Sequence, residues 1–194
     1  MKTRLLLGWL LVALSGPLRA QQGFVGESTT LSYSVFDNNG KSFVNPAPDV
    51  AGSPFLMDSW QLGSLVINTN RRFDSVKVRL NVYSQEVHFL DRNNNEMALA
   101  KGYIRSVTLS GGIRFQNGYP PVDEQGTDNF YQVLTDGKPE QLLLSVRKII
   151  ATQKEEMSGD VKKEYRTYQD YYLYDGKTMQ RVKKDKAIKM LRTS

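Results

Sequence analysis

No cysteine occurs anywhere in the chain. That one absence removes disulfides, thiolate metal sites, cysteine nucleophiles and lipid attachment through a cysteine. Histidine is nearly absent too: His88 is the only one. A single imidazole cannot build a histidine-rich zinc centre, and no Ser-His-Asp spacing accompanies it. Phosphate loops and dinucleotide fingerprints are missing, since Gly111-Gly112 has only the character of a turn. Past the first twenty residues, no apolar run is long enough to cross a bilayer as a helix. The formal charge is +6. Three of the cations, Lys2, Arg4 and Arg19, lie in that first stretch, so the remainder carries +3, a surplus suited to solubility and not to nucleic-acid binding. No cofactor is expected.

What is present begins with a tripartite N-terminus. Lys2 and Arg4 precede an apolar run from Leu5 to Leu14, Ser15-Gly16-Pro17 breaks it, and Ala20 is a small residue suited to cleavage. This predicts a signal peptide over residues 1–20 and a single β-rich domain over 21–194. The expected product is exported, periplasmic or extracellular, soluble and not lipid-anchored. A chain of this length can bury a core without disulfides.

Two stretches predict how the rest folds. Phe130-Tyr131-Gln132-Val133-Leu134-Thr135 ends in Asp136-Gly137-Lys138, and Tyr171-Tyr172-Leu173-Tyr174 ends in Asp175-Gly176-Lys177. Asp-Gly after a β-favouring run is a hairpin signal, because a type I′ turn needs positive φ at both central residues. A two-residue turn would set Thr135 opposite Lys138. The second would set Asp170 opposite Arg181 and Tyr172 opposite Met179. Upstream, Val76, Val78, Leu80 and Val82 alternate with Ser75, Lys77, Arg79 and Asn81, a period of two with one wet face. Residues 140–152 suit either a strand or a helix by periodicity, and strand is preferred by analogy with the second hairpin. Asp185 to Arg192 predicts a short helix with Ala187, Ile188 and Leu191 on one face. The fold class is therefore mainly β: a single antiparallel meander sheet, curved or partly closed into a barrel, with a short C-terminal helix.

The chemistry-bearing residues are sparse. His88 alternates with Val87 and Phe89, which places it on the face of Glu86 and predicts solvent exposure. Asp91, Asn93 and Asn95 match the start of a calcium loop, but Glu96 stands where glycine is required and Gly102 where the bidentate glutamate belongs, so an Asn-rich turn is the better description. Adjacent acids (Asp123 with Glu124, Glu155 with Glu156) and the pair Asp49 and Asp58 fall in expected loops, where carboxylates are ordinarily solvated. No metal site is expected. Trp60, in Gly52-Ser53-Pro54-Phe55-Leu56-Met57-Asp58-Ser59-Trp60-Gln61-Leu62-Gly63, is either a binding-loop residue or a packed aromatic. Tyr168, Tyr172 and Tyr174 form a ring-rich strand that suits a sugar- or protein-binding face, or core packing.

The run from Gly52 to Gly63, with Phe130-Tyr131-Gln132-Val133-Leu134 before Gly137-Lys138 and Tyr171-Tyr172-Leu173 before Gly176-Lys177, resembles uncharacterised exported β-rich proteins of Bacteroidota. The resemblance implies export and a β-rich fold and carries over no site. Three functions are open at this point. The first is a non-enzymatic exported protein that binds an envelope component or partner protein through Trp60, Tyr168, Tyr172 and Tyr174. The second is a periplasmic carrier of a hydrophobic ligand. The third is a hydrolase using loop carboxylates.

Overall fold

The computed structural model describes residues 40–43, 49–91, 93–136, 140–154 and 161–192. The expected signal peptide, Glu155, Glu156, and the Gly137-Lys138-Pro139 part of the first hairpin lie outside them. The described chain is mostly β: one antiparallel sheet of eleven strands and one short helix. The strands are β1 (Gly40–Ser42), β2 (Gln61–Ile67), β3 (Arg72–Asn81), β4 (Glu86–Leu90), β5 (Glu96–Leu99), β6 (Ile104–Leu109), β7 (Arg114–Gln116), β8 (Tyr131–Val133), β9 (Gln141–Lys154), β10 (Val161–Tyr174) and β11 (Met179–Val182). The helix α1 spans Lys184–Leu191. Strand order is β1-β5-β4-β3-β2-β6-β7-β8-β9-β10-β11, and β1 and β11 are edges, so the ladder stays open.

The alternation in β3 does what its period demands. Val76, Val78 and Leu80 are buried and Lys77 is exposed. Phe73 also points inward, although two residues, Asp74 and Ser75, lie between it and Val76. The register shift between β2 and β3 supplies the reason: Gly63 faces Val76 while Leu65 faces Phe73, an extra residue that leaves Ser75 at φ 60°. Gly63 is required here, since a Cβ would lie 2.9 Å from the Thr108 carbonyl oxygen. Inward residues of β2 to β7, with Phe130, form one apolar cluster in which Leu65, Val78 and Phe89 are wholly buried. This half of the sheet therefore rolls over its own inner face.

Residues 141–154 are strand, not helix, and pair with β10 at every position from Gln141↔Tyr174 to Lys154↔Val161. The resulting ribbon is about 45 Å long at the usual rise per residue. Each of its edges is bound to the rolled half by chain outside the ladder. The Lys148 N–H donates to the Val82 carbonyl (3.0 Å) on the β9 edge. On the β10 edge, Ala51 pairs with Glu164, and Phe55 then bridges to Asn81 of β3.

Both hairpin registers differ from the two-residue expectation. Val133 pairs with Leu143, so the first loop is longer than Asp136-Gly137. In the second, Tyr174 faces Met179 and Tyr172 faces Arg181. Four residues, Asp175 to Thr178, make that turn. The Asp175 carboxylate accepts from the Lys177 and Thr178 N–H groups (2.8 and 2.6 Å) and from the Thr178 hydroxyl (2.8 Å), which satisfies the longer loop. Those backbone bonds hold its pKa down at about 2. The slip is by two residues, so every side chain keeps its face. Gly176 has the expected positive φ, 94°. Gly40 and Lys41 begin β1. On α1, Ala187 is buried against Leu142 and Leu173, but Met190 completes that contact and Leu191 is exposed.

Candidate functional site

The four aromatic residues singled out in the sequence do not converge. Trp60 is half-buried beside the rolled half, where its ring lies 4.4 Å from the Arg79 guanidinium carbon. Phe55 takes the other contact with that guanidinium, at 3.9 Å. Tyr168, Tyr172 and Tyr174 do share one face of β10, but their settings differ. Tyr168 is exposed near Arg147, Tyr172 is buried, and Tyr174 donates to the Gly176 carbonyl (2.8 Å).

His88 is not on a wet face. It is fully buried, because Phe43 and Phe55 cover the outer side of β4; both rings meet the imidazole edge to face, at 4.6 and 5.0 Å. Nδ1 lies 2.7 Å from a Glu96 carboxylate oxygen, and the other Glu96 oxygen accepts from Arg79 (2.5 Å). Nε2 has no partner among the described residues. Burial lowers the His88 pKa against the opposing pull of Glu96. The imidazole is thus packed against two phenyl rings and joined to the partly exposed Glu96. The Asp91 turn is likewise occupied by its own backbone: Asp91 accepts from the Asn93 and Asn95 N–H groups (2.8 and 2.7 Å). Among the described residues, no cluster of three or more metal-ligating side chains forms.

The polar chemistry gathers elsewhere, at the foot of the β9–β10 ribbon. Val122 and Gln125 exchange backbone hydrogen bonds (3.1 and 3.0 Å), forming a tight turn with Asp123 at φ 52°. Aspartate tolerates that conformation better than most residues. The turn lays Asp123 and Gln125 over the Tyr172 phenol. Tyr172 donates to Asp123 Oδ2 (2.9 Å) and accepts from Gln125 Nε2 (2.8 Å). Gln125 Oε1 accepts from the buried Ser145 hydroxyl (2.7 Å). Burial, reinforced by the bond to Asp123, raises the Tyr172 pKa, so the phenol keeps its proton. Tyr131 packs edge to face on both Tyr172 (5.6 Å) and Tyr119 (5.5 Å), and Tyr119 continues to Tyr174 (5.1 Å). Burial pushes Tyr119 and Tyr131 each up to about 12.

Two residues further along the same face, Asp170 is buried between Arg147 (3.3 Å) and Arg181. Arg181 reaches it diagonally, which is why the pair forms despite the slipped register. Beside this network opens a cleft of about 440 Å³. Asp123 and Glu124 stand on its loop wall and Arg147 and Arg181 on its sheet wall, with Tyr83 and Ile149 as apolar surface. Lys148 also lines it, but its ammonium is committed to the Ser53 and Phe55 carbonyls (2.7 and 2.6 Å).

Of the four aromatic residues proposed from sequence, only Tyr172 contributes to the cleft, and of the carboxylates singled out there Asp123 and Glu124 line it. Gln125, Ser145, Arg147 and Asp170 were missed. The legible signal was Asp170, the one acid between Tyr165 and Tyr174, where a buried charge needs a partner. The fold is that of an open antiparallel meander with a long terminal ribbon and a polar cleft at its base. No family model matches the chain, and neither a curated protein nor a solved structure resembles it at a significant level.

Proposed function

We propose that the protein is an exported, soluble, non-catalytic binding module whose ligand, an envelope component, docks in the cleft at the foot of the β9–β10 ribbon. The observation that carries this reading is the mutual commitment of the cleft's buried groups. Tyr172 keeps its proton between Asp123 and Gln125. Asp170 has an arginine on each carboxylate oxygen. These groups hold one another in place, and the Tyr172 phenol, its pKa raised by burial, is a weaker acid than usual. The space inside the roll is filled by side chains such as Leu65, Val78 and Phe89, which favours this reading over a carrier. Asp123 and Glu124 keep the hydrolase as the competing reading.

The test uses the mature protein and purified bacterial cell envelope. Cosedimentation should be saturable and reduced by Arg147→Ala, and the bound material should be recovered chemically unchanged. Release of soluble fragments, abolished by Glu124→Gln, would replace the binding module by the hydrolase.

A further inference from the structure

Resting on that binding reading, the geometry points to a saccharide of near-neutral charge as the class of ligand the cleft takes, with about one or two sugar rings in a space of this size. Three features carry it together.

The first is charge. Arg147 and Arg181 on the sheet and Asp123 and Glu124 on the loop line the cleft together. Asp170, behind the wall, is bonded to both arginines. Both signs are present in nearly equal number, so neither a strongly anionic nor a strongly cationic ligand gains a net field.

The second is the pattern of uncommitted hydrogen-bonding atoms. Asp123 uses Oδ2 for Tyr172, and its other oxygen accepts no side-chain bond among the described residues. Asn129 uses its amide oxygen for the Gly126 N–H (3.1 Å), leaving its NH2 donors. Arg147 and Arg181 each direct one Nη2 to Asp170 and retain further N–H groups. Planar acceptors and planar donors thus line the same cleft. A hydroxyl donates and accepts at one atom, so neighbouring hydroxyls on a ring can use both kinds of group at once. The exposed parts of Tyr83 and Ile149 supply the apolar contact that the C–H face of a sugar ring requires.

The third excludes an extended peptide joining the sheet. Strand addition needs an unpaired edge, and at the cleft that edge is taken: the Lys148 N–H is bonded to the Val82 carbonyl (3.0 Å). The polar atoms left for a ligand belong to side chains.

The experiment screens the mature protein against an array of neutral and acidic envelope oligosaccharides, followed by calorimetry on the tightest. A neutral oligosaccharide should bind best. Glu124→Ala, at an exposed side chain, should weaken it at least tenfold with the denaturation midpoint unchanged. Arg72→Ala, on a distant exposed ion pair, should leave it unaltered. In parallel, cell envelope is treated with periodate, which cleaves vicinal diols, or with protease. Loss of cosedimentation after periodate alone supports the proposal. Loss after protease alone, with no sugar bound on the array, overturns the saccharide and leaves the binding module standing. No association with untreated envelope overturns both. Binding to the array that Glu124→Ala and Arg147→Ala leave intact removes the cleft as its site.

Discussion

The two halves of the sheet bury aromatic rings of different kinds, and the difference explains where the cleft lies. The roll of β2 to β7 encloses Phe73, Phe89, Phe115 and Phe130. The base of the ribbon encloses Tyr119, Tyr131 and Tyr172. Phenylalanine asks nothing of its surroundings but volume, so the roll closes dry. A buried phenol needs a partner or forfeits a hydrogen bond. Tyr172 therefore draws Gln125, Asp123 and, through Gln125, Ser145 to the ribbon, and that polar shell becomes one wall of the cleft.

Truncation in the dry half should have the largest effect. Phe89→Ala, at a fully buried ring, is expected to cost about 3–5 kcal/mol in chemical denaturation. A value under 1 kcal/mol would mean the roll is not a packed core. In the tyrosine half the decisive change removes one oxygen. Tyr172→Phe leaves Gln125 and Asp123 without their shared partner and should cost about 1–3 kcal/mol. Gly176→Val, at a turn of the ribbon with φ 94°, should also cost about 1–3 kcal/mol, from backbone strain alone, since no atom lies within 4 Å of the added Cβ. Lys177→Val, at a neighbouring position, should cost less in the same measurement.

Acid separates the halves differently. His88 lies on the outer side of the roll with Glu96, Glu86 and Arg79 as its charged neighbours, and burial holds its pKa below the ordinary 6.5. The unfolded chain therefore binds the proton first, so stability is complete above about pH 7 and declines as pH falls through 6.5 toward the folded value. No other histidine exists to blur this window. Urea midpoints that rise between pH 7 and pH 6 would reverse the assignment. The smallest effect is expected beside the largest polar one: Tyr131 is as buried as Tyr172, but its hydroxyl has no partner among the described residues. Tyr131→Phe should change stability by less than about 0.5 kcal/mol or raise it. Equal losses for Tyr131→Phe and Tyr172→Phe would show that ring packing, and not the network, holds the ribbon base.

Local pattern determined a good deal of this molecule. Alternation in β3 identified the buried face at Val76, Val78 and Leu80, because side chains on a strand point to opposite sides whatever the partner. Asp175-Gly176 located a turn, and the need for positive φ at Gly176 followed from glycine's missing Cβ. The antiparallel meander and the C-terminal helix were also legible, since most of the strand pairings join chain neighbours; β1 with β5 and β2 with β6 are the exceptions. Turn length was not: Asp175 bonds forward to Thr178, and that contest between one side chain and the ladder has no periodic signature. Nor was the burial of His88, which depends on Phe43 and Phe55 arriving from outside its strand. The cleft is the extreme case. Arg147 and Arg181 meet through the consecutive β9, β10 and β11, but Asp123 and Tyr172 lie tens of residues apart, and only the docking of the Val122–Gln125 turn brings them together. Periodicity says which way a side chain points; what it meets there is decided by tertiary structure, because the partners come from segments whose approach depends on the whole sheet's curvature.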